Sequence, residues 1–418
     1  MSRLDELITE LCPDGVDFKP MWSLTAWDKK FNGIDRSMQK RVSPYHYYLA
    51  AEFDQIERDD GEIYYISTGI SGNDRFTTEE LAGDNVAEGE VVCIPWGGTP
   101  NVKYYKGKFV TGDNRIATSL NPAVLDNKYL YYWMQSQIDL IGSFYRGSGI
   151  KHPSMKSVLE LEVPVPPIEV QREIVRILDN FTELTAELTA ELTAELTARK
   201  KQYEYYSGNL FPSIKDENST WVELGSVATV TKLAGFEFTK YVTYAESGNV
   251  IALRGLNVKN GHLVLDDVKY IDGSDLSMLS RSKLHVGDML FTYVGTVGQV
   301  ALVDEEDKYY LAPNVALVRI NQNYLPKYMM YYFLTEKFKS EQIAKLLQAS
   351  SMQNIPMEKI RKFKLPVIDI LEQERVVSML DQFDLLCNGI SDGLPAEIEA
   401  RNKQYEYYRD KLLTFKEL

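Results

Sequence analysis

The segment Arg199-Lys-Lys-Gln-Tyr-Glu-Tyr-Tyr206 returns 202 residues later as Arg401-Asn-Lys-Gln-Tyr-Glu-Tyr-Tyr408, identical at seven of eight positions. At the same offset Leu178-Asp-Asn-Phe181 matches Leu380-Asp-Gln-Phe383, Gln171 matches Gln373, and Val163-Pro-Val165 matches Leu365-Pro-Val367. Upstream the echoes weaken: Tyr131-Tyr-Trp133 with Tyr331-Tyr-Phe333, Asn114 with Asn314, Glu88-Gly-Glu90 with Val286-Gly-Asp288. The offset there drifts to about 198–200, as loops of unequal length would make it. The chain is one unit written twice, its first part diverged and its last part nearly kept. Two similar units tend to pack about a pseudo-two-fold axis, so matched parts can meet the same kind of partner twice.

The matched segments read as helices. Residues 168–210 hold no proline, and their one glycine is Gly208; Pro166 and Pro167 stand where a helix start tolerates them. Inside lie Thr185-Ala-Glu-Leu, Thr189-Ala-Glu-Leu and Thr193-Ala-Glu-Leu, preceded by Thr182-Glu-Leu184. A helix of this span is ~64 Å long at 1.5 Å per residue, a spacer or coiled-coil strut and not an ordinary core helix. Leu184, Leu188, Leu192 and Leu196 recur every four residues, so their stripe drifts ~40° per repeat and winds around the helix. The expected partner is the matching helix from Ile370 onward, which Gly393 and Pro395 should kink or break near its middle.

The diverged segments are rich in short β-type runs broken by Gly, Asn and Asp: Ile63-Tyr-Tyr-Ile66, Val91-Val-Cys-Ile94, Asn249-Val-Ile-Ala-Leu253, Met289-Leu-Phe-Thr-Tyr293 and Val315-Ala-Leu-Val-Arg-Ile320. Each closes with helical text, Tyr129 to Gln137 and Tyr324 to Leu347, and then a loop. The expectation is an α+β chain: a globule over 1–160, a central helical region over 161–215, a second globule over 216–364 and a distal helical region over 365–418. The two helical regions should pack antiparallel as a coiled coil.

Much chemistry is missing. There is no Asn/Asp-Pro-Pro-Tyr/Phe tetrad of an adenine methyltransferase, no phosphate-binding loop and no His-Glu-x-x-His; His46, His152, His262 and His285 are scattered. Asp266-Asp-Val-Lys269 is only a fragment of a nuclease motif, and Gly295-Thr-Val-Gly298 is too short for a dinucleotide fingerprint. The three cysteines, Cys12, Cys93 and Cys387, form neither a disulfide framework nor a metal knuckle and suit a reducing cytosol. No run is long and apolar enough for a membrane span. With 46 basic against 60 acidic residues the net charge is −14, so any anion-binding surface must be a local patch.

Candidate patches exist. Lys29, Lys30, Arg36, Lys40 and Arg41 cluster near Ser43, Tyr45 and Tyr47, and Lys103, Lys106 and Lys108 follow Trp96-Gly-Gly-Thr99. In the second copy Lys232, Lys240, Arg254 and Asn257 lie near turns. Lys151 with His152, and Gln353 with Asn354, occupy the same loop in the two copies, as would suit reading two half-sites. Lys and Arg neutralise phosphates, and Arg, Asn and Gln read base edges bidentately.

Two diverged globules, two matched helical regions, Thr-Ala-Glu-Leu repeats and the twin signature resemble, over essentially the whole chain, the specificity subunit of a type I restriction–modification enzyme. The repeats place it near the subgroup whose central helix varies by whole Thr-Ala-Glu-Leu units. The resemblance implies two target recognition domains, each entering the major groove of one half of a split site in double-stranded DNA. It implies helical regions that dock two modification subunits, for which Gln202, Tyr203, Tyr205, Gln404, Tyr405 and Tyr407 are candidates, and restriction subunits that join them. It further implies no catalysis and no cofactor in this chain, S-adenosylmethionine, ATP and Mg2+ in the partners, and a bacterial or archaeal cytoplasm. Two other readings compete: a coiled-coil scaffold that binds proteins and no DNA, and a specificity subunit serving a fused methylase–nuclease.

Overall fold

The computed structural model describes residues 2–39, 41–70, 74–213, 219–233, 238, 240–321, 323–347, 354–388 and 393–418. It divides into two compact units, Met1–Ala190 with Ile398–Leu418, and Glu191–Glu397.

The first unit begins with the helix Arg3–Leu11, whose start is closed by a capping box between Ser2 and Asp5. A six-stranded sheet follows, in the order Thr25–Trp27, Asn114–Ser119, Ala87–Pro95, Lys103–Thr111, Ile63–Ile66 and Phe76–Thr77. Neighbours are antiparallel except Ile63–Ile66, which runs parallel to Lys103–Thr111. Alternation along Val91-Val-Cys-Ile94 serves two cores. Val92 and Ile94 pack with Tyr129 and Trp133 of the helix Asn127–Ser136, while Val91 and Cys93 pack with Ile66, Phe109 and Ile116 on the other face. Burial pushes the Cys93 thiol up to about 12.

The second unit repeats this plan with shorter strands. Ala228–Lys232, Val315–Ile320, Met289–Thr292 and Val300–Leu302 form one sheet, and Ile251–Leu253 pairs in parallel with Tyr309–Leu311. A short ribbon closes each unit: Asp17–Pro20 against Glu162–Val165 in the first, Trp221–Glu223 against Lys364–Pro366 in the second. The repeated Val-Pro-Val and Leu-Pro-Val text is thus one strand of a closing ribbon.

The helical text Tyr324–Leu347 is broken at Thr335, whose extended backbone ends the helix Pro326–Leu334 and whose hydroxyl caps the next turn. The matched helical regions behave as their text requires. The central helix is one 43-residue element, Ile168–Leu210, and contributes to both units. Its wholly buried Val170, Ile174 and Leu178 form a stripe on the first core. In the repeats Leu184 is 60% exposed, and Leu188, Leu192 and Leu196 are half-buried, in keeping with a drifting seam. The distal region is two 19-residue helices, Ile370–Asn388 and Leu394–Leu412, so the expected break is present. Pro395 lies in the first turn of the later helix, where its missing N–H leaves nothing unpaired.

Pairing is antiparallel and reciprocal. In the first unit Phe181 meets Tyr408 at 6.1 Å between ring centres, and the hydroxyls of Thr182 and Tyr405 are 3.0 Å apart. In the second unit Phe383 meets Tyr203 at 6.4 Å and Tyr206 at 5.7 Å. Leu413 completes the first core and the wholly buried Phe211 the second. These residues correspond at the offset of 202, so the signature that follows each globule in sequence closes the other one.

Buried Gln171 shows how closely the scaffolds agree. Its amide accepts from the Asp126 N–H (2.9 Å) and donates to the carbonyls of Val124 (2.7 Å) and Pro166 (2.8 Å). Gln373 accepts from Leu325 N–H (2.9 Å) and donates to Asn323 (2.9 Å) and Ile368 (3.2 Å). Removing such an amide leaves buried backbone groups unpaired. Gln171→Leu or Gln373→Leu is expected to cost about 3 kcal/mol, read as a lowered urea midpoint in the affected unit.

Candidate functional site

The strand registers fix which residues of the two copies correspond. The ribbons pair Pro20 with Glu162 and Glu223 with Lys364, which aligns Lys29 with Lys232. The sheets then align Val92 with Met289, through Ala117 and Val318, and so Trp96 with Tyr293. At these matched places the same object stands twice. Lys29 Nζ lies 5.2 Å from the Trp96 ring centre, and Lys232 Nζ lies 5.7 Å from that of Tyr293. An ammonium over an aromatic face is attracted by the ring quadrupole, which holds a flexible lysine in place with its charge still unneutralised.

Described residues of the two loops singled out in sequence, Lys151 with His152 and Asn354, arrive at these rings. His152 stacks obliquely on Trp96, 5.1 Å between centres, and the Gly98 N–H donates to the Lys151 carbonyl (3.2 Å). Asn354 bridges to Val294, and the next residue, Ile355, donates its N–H to the Tyr293 carbonyl (2.9 Å). In each unit, therefore, a lysine, an aromatic ring and a polar loop tip converge from three separate stretches of chain. Sequence reading found the lysines and the loops but not the rings. The available signal was an aromatic residue directly after matched strands, hidden by an offset of 197 instead of 202.

Arg115 is a feature of the first unit alone, since its counterpart is Ala316. Its side chain is 1% exposed, lies 5.0 Å from the Trp96 ring centre, and pairs with Asp113 and with Asp28 (2.9 Å). Burial holds the Asp28 carboxyl above its usual range, with Arg115 pulling the other way. It is a buttress under Trp96 that residue-type arguments did not reveal.

The remaining candidates divide. Lys29, Lys30, Arg36, Arg41, Lys151, Lys232 and Lys240 are exposed and enter none of the ion pairs among the described residues. Lys40 and Gln353 lie outside the described residues. Others are engaged by neighbouring groups of their own unit. Lys103 donates to the Ser67 carbonyl (2.7 Å) and hydroxyl (2.9 Å), and burial lowers its affinity for a proton. Lys106 and Lys108 pair with Glu90 (3.7 Å) and Glu79 (2.9 Å). Arg254 donates to Asp267 (2.8 Å). Asn257 is wholly buried, its amide spent on Arg254 N–H and the carbonyls of Val264 and Asp267. It shapes a loop instead of facing a ligand.

The helical candidates divide in the same way. Tyr205 and Tyr407 are 68% and 62% exposed. Tyr203 and Tyr405, two residues back and so on the opposite side of a 3.6-residue turn, face the antiparallel helix of their own unit and are not free for docking. Gln202 and Gln404 each accept from the arginine three residues before, at 3.0 and 3.2 Å.

Removing the Arg115 guanidinium strands a buried carboxylate. Arg115→Met is expected to cost about 3–5 kcal/mol at pH 7. The folded-state affinity of Asp28 for a proton, already raised, then rises further. The folded variant binds more protons than the unfolded one, and its deficit shrinks as pH falls toward 5. Urea denaturation at both pH values reads this directly.

Residues 50–198 and 217–400 match the family model described as the type I restriction modification DNA specificity domain. The chain is 32% identical over 340 residues to a putative type I restriction enzyme specificity subunit of Haemophilus influenzae, covering 78% of this chain and 83% of that one. It is 33% identical over 304 residues to a type I restriction enzyme specificity subunit of Escherichia coli, covering 69% and 70%. The crystal structure of a type I restriction–modification S subunit from M. genitalium shares its fold, with a TM-score of 0.50 at 14% identity, covering 96% and 97%.

Proposed function

The chain belongs to the type I restriction–modification DNA specificity family, and from that premise we propose that it is the sequence-reading, non-catalytic subunit of such a complex, binding a split site in double-stranded DNA. The observation that carries this reading is the lysine-over-aromatic site with its polar loop, present at the same register of both units. Each unit reads one half-site in the major groove. Unpaired lysines and arginines take phosphates and set the register on the duplex, while the loop tips beside Trp96 and Tyr293 reach base edges. The partial replacement of one site's residues in the other, His152 by Asn354 and Arg115 by Ala316, suits half-sites of different sequence.

The helical regions carry the rest of the assembly. Tyr205 and Tyr407, exposed at matched positions, are the surfaces that receive two modification subunits, one per copy of the signature. Those subunits bring S-adenosylmethionine and methylate adenine; restriction subunits add ATP- and Mg2+-dependent translocation and cleavage. The acidic balance of the chain fits a shared interface in which the modification subunits supply much of the phosphate-neutralising surface. Accordingly, gel-shift titration should give weak, sequence-indifferent binding by this chain alone and tight specific binding once the modification subunits join. Lys29→Ala and Lys232→Ala should each weaken the assembled complex on every sequence and reduce its salt dependence by about one phosphate contact. Tight specific binding by the isolated chain would contradict the scheme.

The Thr-Ala-Glu-Leu array serves as the spacer. One unit adds ~6 Å of helix, against ~3.4 Å per base pair. Deleting Thr189-Ala-Glu-Leu192 should shorten the gap between half-sites by about one to two base pairs while both half-sites keep their sequences. Mapping of methylated adenines in a host carrying the deletion reads this. Altered half-sites with an unaltered gap would rule out the spacer role.

A further inference from the structure

The two loop tips solve the same backbone problem in different ways. In the second unit the carbonyl of Tyr293 is satisfied by the N–H of Ile355. The corresponding residue in the first unit is Pro153, which has no N–H to give. There the carbonyl of Trp96 takes its hydrogen bond from the side chain before the proline: His152 Nδ1 lies 2.7 Å from it. A carbonyl oxygen only accepts, so Nδ1 must carry a proton. In the neutral ring Nε2 is then left as an acceptor with no hydrogen of its own.

The ring is also fixed in direction. It leans on Trp96 at 37° between planes. Gly97 leaves it room: a Cβ there would stand 3.2 Å from His152 Cε1, 3.3 Å from Nδ1 and only 2.8 Å from Ile150 Cγ2. The side chain nevertheless remains exposed, beside the unpaired Lys29 on the same tryptophan. A histidine used only to satisfy a carbonyl has no need of that position at the tip. Base edges differ in what they offer such a group. In the major groove only adenine, through N6, and cytosine, through N4, present a hydrogen-bond donor; guanine and thymine present acceptors there.

We infer that His152 is a specificity-determining residue, whose Nε2 accepts a hydrogen bond from the exocyclic amino group of an adenine or cytosine at one position of the half-site read by the first unit. The inference rests on the DNA-reading role proposed above and names the chemistry of one of its contacts. Asn354, which offers both a donor and an acceptor, is under no such restriction.

The test uses the full chain assembled with its modification subunits and a pool of random duplexes, bound and sequenced. His152→Ala should lose about tenfold of an adenine-or-cytosine preference at one position of one half-site. The other half-site, unchanged, reports that the variant is folded. At that position a base lacking the amino group, purine for adenine or pyrimidin-2-one for cytosine, should weaken the unsubstituted complex about tenfold and leave His152→Ala indifferent. If the preferred base is adenine, 7-deazaadenine should bind as adenine does. A lost preference for guanine or thymine, or sensitivity to the 7-deaza base without sensitivity to purine, would mean that His152 donates and would overturn the inference. Should His152→Ala change neither half-site while Lys29→Ala still weakens binding, the histidine assignment fails and the contact surface stands. Should Lys29→Ala and Lys232→Ala also be without effect, the surface itself is misplaced.

Discussion

Reciprocal closure is the constraint on which the rest depends. Neither globule completes its core from its own stretch of chain: the first needs Leu413, the second needs Phe211. Each of these residues is delivered by a signature that in sequence follows the other globule. The antiparallel contacts Phe181–Tyr408 and Phe383–Tyr206 guide that delivery. Because burial of apolar surface is the main favourable term in folding, a unit lacking its closing helix is left with an open core. The first unit cannot close until residues 398–418 have been made, so its core depends on contacts of long sequence separation, the kind that slows folding.

The supporting contacts were duplicated almost atom for atom while the surface was not. Asp179 accepts from Tyr132 (2.7 Å) and pairs with Lys128 (2.8 Å); Asp381 accepts from Tyr331 (2.5 Å) and pairs with Lys327 (2.8 Å). In both copies burial, reinforced by the carboxylate, pushes the tyrosine hydroxyl far up and keeps it a donor. These groups tie each globule's helix to its strut. The half-buried rings and the loop residues beside them make no such matched buried polar contacts. Trp96 and Tyr293, His152 and Asn354 have changed type while keeping place. A change at the tip costs little stability, whereas a change at Gln171 or Asp179 leaves polar groups buried and unpaired.

That difference explains which residues were legible. Gln171 with Gln373, and Asp179 with Asp381, were visible because each makes the same partly buried contacts in both copies. Tyr203 and Tyr205 looked alike as text; one faces inward and the other outward because two residues on a helix differ by about 200°. Arg254 and Asn257 carry side chains suited to base edges, but both sit where a turn's own backbone groups needed partners, and the nearest acceptors took them.

What the amino-acid sequence determined alone was the doubling, the uninterrupted central helix, the break before Pro395 and the β-type runs, since periodicity, proline and glycine act over a few residues. Only the tertiary structure decided that each signature closes the opposite globule, and that Lys29, Trp96 and His152 meet at one place. Those outcomes follow from strand register and from the search of apolar side chains for cover, both of which join residues far apart in the chain and leave no mark on the residues in between.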